Sequence, residues 1–316
     1  MSVHCPLLTG TTRELPGHPL VTIDFGKAPS EDPETGIRVS ASLSQLGPAS
    51  RQIVWCTDEP PELLRVGRVR LAVGPRLAFG AVETSAGEGE ELESVTRAVY
   101  GEVLRTLRRR NLHPLRFWNV LPGINEEDGG MERYRWFCRG RGDAFQERLG
   151  EGFEADLCAA SAVGGGGGPL LVYFLAGREP GEQVENPRQV SAYAYPRRYG
   201  PRSPSFARAT RAPGSVEGRL LLSGTASVVG HRTLHPDSVE EQLDETLRNL
   251  DCVAAAGEYE REDLEILKVF VRHAEDLPVI RKRLEPELPP DLPVLYLRAD
   301  ICRDDLLLEI EGVLGR

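Results

Sequence analysis

The chain lacks an excess of positive charge: 48 acidic residues against 38 basic ones leave a net charge of −10. That argues against a nucleic-acid partner, because such binding rests on a basic face whose cations displace counterions from phosphates. The one basic cluster, 105–110, closes a helical pattern, where it complements the helix dipole. No apolar run approaches membrane-spanning length, so no membrane partner is expected. The six cysteines and six histidines show no metal-ligand spacing, and neither a metal nor an organic cofactor is expected. No secretory leader precedes the cysteines, and the expectation is reduced thiols in the cytoplasm. The five glycines 164–168 have neither a lysine nor a following helical pattern. They read as a flexible hairpin linker, not a phosphate loop. Gly224-Thr225-Ala226-Ser227 with His231 offers a hydroxyl and a base, but no third group to orient the histidine and no nucleophile elbow.

What is present is the make-up of a globular protein, 40% hydrophobic and 27% charged. At 316 residues, two domains are the better expectation. Residues 1–50, rich in Pro, Gly, Ser and Thr, read as an irregular arm around short strands, with a turn at 31–36. Strand patterns follow at 53–55, 69–73 and 77–82. The spacing of Leu92, Val95, Val99, Val103 and Leu107 predicts a helix over 90–110. A strand at 115–120, a helix over 132–149 and strands at 153–160 and 170–176 complete the first half. The second half repeats this order: strands at 205–211 and 219–226, and a helix over 239–256 capped by Ser238 and stopped by Gly257. A strand at 264–271, a helix over 278–288 and strands at 294–299 and 306–311 follow. Two halves with one order of elements suggest a duplicated α+β unit.

Three stretches carry candidate chemistry. On a strand through 306–311, Leu306, Leu308 and Ile310 share one face and Leu307, Glu309 and Glu311 the other. Taken alone, two glutamates facing water is the commoner reading. The alternative is a carboxylic acid lining a pocket, its pKa raised by desolvation. Residues 186–208 pack five arginines and three tyrosines into a proline-stiffened loop. Guanidinium forks with phenols suit a small di-acid, and a solvated basic loop has the same composition. The helix from 132 aligns Tyr134, Phe137, Cys138 and Arg141 along one side.

These stretches together resemble the chorismatase family, bacterial enzymes that remove pyruvate from chorismate. The resemblance runs through Arg116-Phe117-Trp118-Asn119, Leu121-Pro122-Gly123-Ile124-Asn125, Glu132-Arg133-Tyr134-Arg135 and Gly140-Arg141. It continues in Glu185-Asn186-Pro187-Arg188-Gln189, Tyr199-Gly200-Pro201-Arg202-Ser203-Pro204, Ser223-Gly224-Thr225-Ala226-Ser227 and Cys302-Arg303 with 306–312. Residues 204–316 also resemble the RidA (YjgF) family of trimeric α+β proteins. The resemblance implies an α+β fold of two fused RidA/YjgF-like (chorismate-mutase-like) units, with mixed sheets and helices packed on one face. The expected units are 1–182, including the N-terminal arm, and 183–316, with the site in the cleft between them; monomer and homo-oligomer stay open.

By the same resemblance Glu309 is the acid that protonates the enolpyruvyl group. Arg141, Tyr134, Tyr195, Arg208 and Arg202 hold the substrate. Cys302 and Ala226 occupy the two positions that set the product: Cys302 resembles the branch yielding 3-hydroxybenzoate, Ala226 the hydrolytic branch yielding a dihydroxycyclohexadiene carboxylate. The thiol is the more distinctive residue, so 3-hydroxybenzoate, possibly accompanied by 4-hydroxybenzoate, is the expected product. No cofactor is implied. Glu311, near the strand end, is expected to be solvated. RidA-like deamination of imines or enamines would need a carboxylate-gripping arginine where Ile301 and Cys302 stand, and non-catalytic binding of a small aromatic acid is the remaining alternative.

Overall fold

The computed structural model describes residues 7–9, 15, 17–26, 36–47, 51–214 and 218–316. The turn expected at 31–36 lies outside them except for Gly36. Three sheets carry the fold. The first comprises β1 (Leu7–Thr9), β2 (His18–Phe25), β3 (Ile37–Ala41) and β5 (Arg51–Thr57), in the order β1-β5-β2-β3. The second comprises β6 (Glu62–Val66), β7 (Val69–Val73), β8 (Leu77–Thr84), β9 (His113–Val120), β12 (Ala159–Val163) and β13 (Leu170–Gly177), ordered β12-β9-β13-β8-β7-β6. The third is ordered β14-β15-β16-β21-β19-β20-β4. It is built from β4 (Ser44–Gln45), β14 (Glu182–Val184), β15 (Ala209–Arg211), β16 (Leu220–Leu222), β19 (Leu264–Val271), β20 (Val294–Arg298) and β21 (Leu308–Leu314). Two short ribbons, β10 (Glu127–Asp128) with β11 (Met131–Glu132) and β17 (Val228–Val229) with β18 (Arg232–Thr233), stand apart from the sheets. The second and third sheets are mixed: β12 runs parallel to β9 and β20 parallel to β19, while the other pairs are antiparallel.

Each of these larger sheets has helices on one face. α1 (Glu90–Arg109) turns Leu92, Val99, Val103 and Leu107 inward, with glutamates in its first turn and arginines in its last. It packs against α2 (Arg133–Leu149), where Gly140 lies so close to the Glu93 carbonyl that a Cβ would overlap it. α3 (Val239–Ala256) is capped as expected: the Ser238 hydroxyl accepts from the Glu241 N–H at 3.3 Å. It shares a core with α4 (Leu277–Leu284) and the third sheet. This is the α+β, one-sided arrangement expected from the sequence. No helix of the described residues is long and apolar enough to cross a membrane.

The helix-free faces of both larger sheets meet in one core, and the N-terminal sheet is part of it: Ile23, Ile53 and Trp55 pack with Trp118, Tyr173, Leu221, Ile266 and Val313. The short strands expected in the N-terminal arm are present among its described residues as β1 to β4, and β4 pairs to β20. Two expectations are corrected. The glycine run does not close a hairpin, because β12 and β13 flank β9 on opposite sides and the run crosses the end of that strand. It is pinned there by Gly164 N–H to Asp300 O at 2.7 Å and Gly166 N–H to Ser42 O at 3.1 Å. The strand expected at 153–160 is a 3-10 turn, Phe153–Asp156, ahead of β12.

Candidate active site

The outer edge of β12 faces the third sheet, not solvent. Its donors are met by side chains from across the gap: Ala159 N–H to Thr210 Oγ1 at 2.7 Å and Ala160 N–H to Ser223 Oγ at 2.8 Å. Beside this junction lies a cavity of about 720 Å³, lined by Ala160, Ser161 and Ala162 from one side and by Gly224, Ala226 and Glu309 from the other. Residues from α2 and from the 189–208 strap complete the wall. The volume suits a substrate of modest size.

Strand β21 sends two glutamates off one face. Glu309 stands opposite Phe270 and Glu311 opposite Lys268. Both are buried, at 4% and 1% exposure, yet their surroundings differ. Glu311 accepts from Arg116 Nη2 at 2.7 Å and Trp118 Nε1 at 2.8 Å, and also from the Ser161 hydroxyl and the Lys268 ammonium. Burial opposes its ionisation, but Lys268 and Arg116 hold its carboxyl below the usual range. The expectation of a solvated Glu311 is thus overturned: β21 continues to Leu314, and the N-terminal sheet covers this face. Glu309 has an oxygen, Oε1, with no hydrogen-bond partner. Burial first, then the Glu311 anion, pushes its carboxyl up to about 8, against the pull of Arg116 and Arg208. At neutral pH Glu309 is therefore a protonated acid at the cavity wall. The carboxyl lies against Gly224, where a Cβ would overlap it; Thr225 and Ile310 fix that approach by exchanging two backbone bonds of 2.8 Å.

Seven of the eight residues expected at the site line the cavity: Glu309, Cys302, Ala226, Arg141, Tyr134, Tyr195 and Arg208. Arg141, 3% exposed, stands over the rings of Tyr100, Phe145 and Phe117 at 5.0–5.7 Å, and its Nε and Nη2 have no hydrogen-bond partner. A buried guanidinium with open donors is an anion site in waiting. Arg208 donates through Nη2 to Tyr195 Oη at 2.7 Å and to Val190 O at 3.0 Å, which leaves its Nε without a partner. Burial raises the Tyr134 phenol well above its ordinary range and pushes the Cys302 thiol up to about 12, so both are neutral donors. The Ala226 carbonyl accepts from Asn249 Nδ2 at 2.9 Å, which fixes the backbone beside its methyl group.

Arg202 is the exception. Its guanidinium bonds to Gly142 O at 3.1 Å and Gln146 Oε1 at 2.8 Å, pairs with Asp143 at 3.2 Å and stacks over Phe153. The strap carries it to the outer side of α2, away from the cavity. Arg303, not singled out beforehand, lines the cavity instead, stacked on Tyr199 at 4.5 Å and Tyr195 at 5.3 Å and bonded to His231 O. The signal for it was the neighbouring Cys302. His231 is taken up by Arg198 and Tyr199 at the rim, and the Ser227 hydroxyl by Leu234 O, so these two do not form a nucleophile and its base. Among the described residues no three His, Cys, Asp or Glu side chains converge to hold a metal.

A family model described as "Chorismatase FkbO/Hyg5-like, N-terminal" matches residues 53–176. A chorismatase from Streptomyces rapamycinicus is 35% identical over an alignment covering 98% of this chain and 92% of that protein. The chain belongs to the chorismatase family. A second relative, a 3-hydroxybenzoate synthase from Streptomyces hygroscopicus, is 42% identical across 69% of this chain and 68% of its own length. The crystal structure of a chorismatase superposes with a TM-score of 0.90 at 32% identity, covering 99% of this chain and 98% of that one. Within the family fold, the cavity beside the junction of the two larger sheets is lined by both Arg141 of α2 and the protonated Glu309 of β21.

Proposed function

We propose that this enzyme removes the enolpyruvyl group of chorismate as pyruvate and yields 3-hydroxybenzoate, with Glu309 as the acid. The observation that carries the reading is the presence in one cavity of a buried carboxyl oxygen on Glu309 without a hydrogen-bond partner and a buried guanidinium on Arg141 whose Nε and Nη2 have none. Chorismate brings two carboxylates and an enol ether. Arg141 takes one carboxylate, Arg208 with Tyr195 the other, and Tyr134 bonds the ring hydroxyl. Glu309 then gives its proton to the methylene carbon, leaving an oxocarbenium centre and a glutamate anion. The ring hydroxyl oxygen attacks that centre and its proton returns to the glutamate. The bond from this oxygen to the ring then breaks, and pyruvate leaves with it. The ether oxygen stays on the ring as the phenol oxygen, and loss of the proton from the carbon that bears it makes the product aromatic. The two products together contain the atoms of chorismate, so this branch consumes no water.

Cys302, as a neutral thiol, supports the 3-hydroxybenzoate branch, as does the relative named for that product. Ala226 favours the second reading, hydrolysis to a dihydroxycyclohexadiene carboxylate, which consumes one water. The reading extends to a division of the chain near 182/183, at the start of β14, and to a cytoplasmic enzyme whose five described cysteines are free thiols. Incubation with chorismate, with pyruvate assayed and the ring product identified by chromatography and mass, tests the function. Release of 3-hydroxybenzoate with equimolar pyruvate is expected; an unchanged chorismate pool overturns the proposal.

A further inference from the structure

Two glutamates two residues apart on one strand face occupy opposite chemical states, and the second has a use beyond stability. We infer that Glu311 is a positioning residue for proton transfer: its locked anion opposes ionisation of Glu309 and withholds from it the guanidinium of Arg116. This rests on the reading of Glu309 as the acid.

The geometry supports both halves. Glu311 receives four donors, from Arg116, Trp118, Ser161 and Lys268, whereas Glu309 Oε1 receives none. A carboxyl in a water-poor site ionises where donors compensate it, and keeps its proton where they do not. Arg116 is the deciding partner. It is 1% exposed and divides its donors among Phe117 O at 2.9 Å, Ser161 Oγ at 2.5 Å and Glu311 Oε2 at 2.7 Å, while the face of Trp118 lies 5.1 Å from its carbon. Arg116 acts on Glu309 as a nearby positive charge, yet its bonds to acidic groups go to Glu311. Without the Glu311 anion that fork is released towards the acid beside it. The anion itself also repels a second negative charge on the same face.

The other ionisable groups around the pair come from every packed element. Lys268 on β19 lies across from Glu311 and therefore two register positions from Glu309, which pairs with Phe270. Tyr173 on β13 faces Glu311, and burial holds its phenol far above the ordinary range. Arg208 of the strap and Cys302 of the loop before β21 face Glu309, and Cys158 ahead of β12 faces Arg116. Arg116 both touches Glu311 and acts on Glu309, which makes the carboxylate that holds it a control point.

The test follows the Glu309 carboxyl directly, by infrared difference spectroscopy across pH with carbon-13-labelled glutamate, assigned through Glu309→Gln, alongside the pH profile of kcat. In Glu311→Gln the titration of Glu309 and the upper limb of kcat should both move down by about one pH unit or more, and Glu311→Asp should restore them. Because Glu311→Gln leaves Lys268 and Arg116 buried without their anion, Glu311→Gln with Lys268→Met provides a charge-balanced second variant with the same expected direction. Glu309 titrating at the parent pH in whichever variant folds overturns the inference, even if turnover falls. If the Glu309 titration moves while parent turnover proves independent of Glu309, the inference about Glu311 stands and the assignment of the acid fails.

Discussion

Replacing Glu309 with glutamine should slow the enzyme and stabilise the protein, a combination that a structural glutamate would not give. Its carboxyl is raised from an ordinary 4.5 to about 8, first by burial and then by Glu311. The folded state therefore holds the proton more tightly than the unfolded chain does. The resulting penalty on folding is absent below the unfolded value, grows as pH rises, and levels off above the folded value. At 1.36 kcal/mol per pH unit it comes to about 3 kcal/mol at pH 7 and about 5 kcal/mol above pH 9. A glutamine has the same size and no such charge. Urea midpoints of the two proteins should therefore lie close together near pH 4.5 and separate increasingly towards pH 9, with Glu309→Gln the more stable. Pyruvate release should fall about 10²–10⁴-fold, the usual contribution of a positioned acid. In the parent, kcat/KM should decline as pH rises through about 8, because only the protonated acid can act. A variant that releases pyruvate at the parent rate, or whose stability advantage is flat with pH, refutes the reasoning.

Other outcomes follow from the same site. Arg141→Ala should weaken chorismate binding by about 2–5 kcal/mol in calorimetry on a Glu309→Gln background, whereas Arg202→Ala, outside the cavity, should leave affinity unchanged; equal losses would remove Arg141 from its role. Gly224→Ala places a methyl against the Glu309 carboxyl and should cost about 1–3 kcal/mol of stability together with most of the turnover; a variant with parent kcat shows that the carboxyl can move aside. Cys302→Ala should lower the share of 3-hydroxybenzoate in the ring products while pyruvate release persists; an unchanged product ratio ends the case for the thiol.

Much of this was legible in the residues. The helices at 90–109 and 239–256 follow from apolar spacing and end signals, and seven of the eight proposed site residues do converge. What escaped the sequence was whatever depends on a third layer. Glu311 looks solvated because it precedes Gly312, and that face is closed by the second sheet, through Arg116, Trp118 and Ser161, together with Ile23, Ile53 and Trp55 of the N-terminal sheet. A segment rich in Pro, Gly, Ser and Thr gives weak local signals, since its strands are specified by what they cover. Arg202 and Arg303 were exchanged for a related reason. Composition groups the arginines of a strap, but chain direction decides which point inward, and Arg303 belongs to a separate loop that packs on the strap's tyrosines.

The N-terminal sheet gives the acid an unusual dependence on distant sequence. Residues of β2 and β5 make no bond to Glu309, but with them gone water would reach Lys268, Glu311 and Arg116 from below. The field that keeps the proton on Glu309 would then be screened, and the carboxyl would titrate closer to an ordinary glutamate. An isolated C-terminal half could keep every residue of β21 and still be an ineffective acid. On the proposal that Glu309 is the acid, its strength as a proton donor belongs to the stacked layers, and substitutions at Ile53 or Trp55 are expected to shift the working pH.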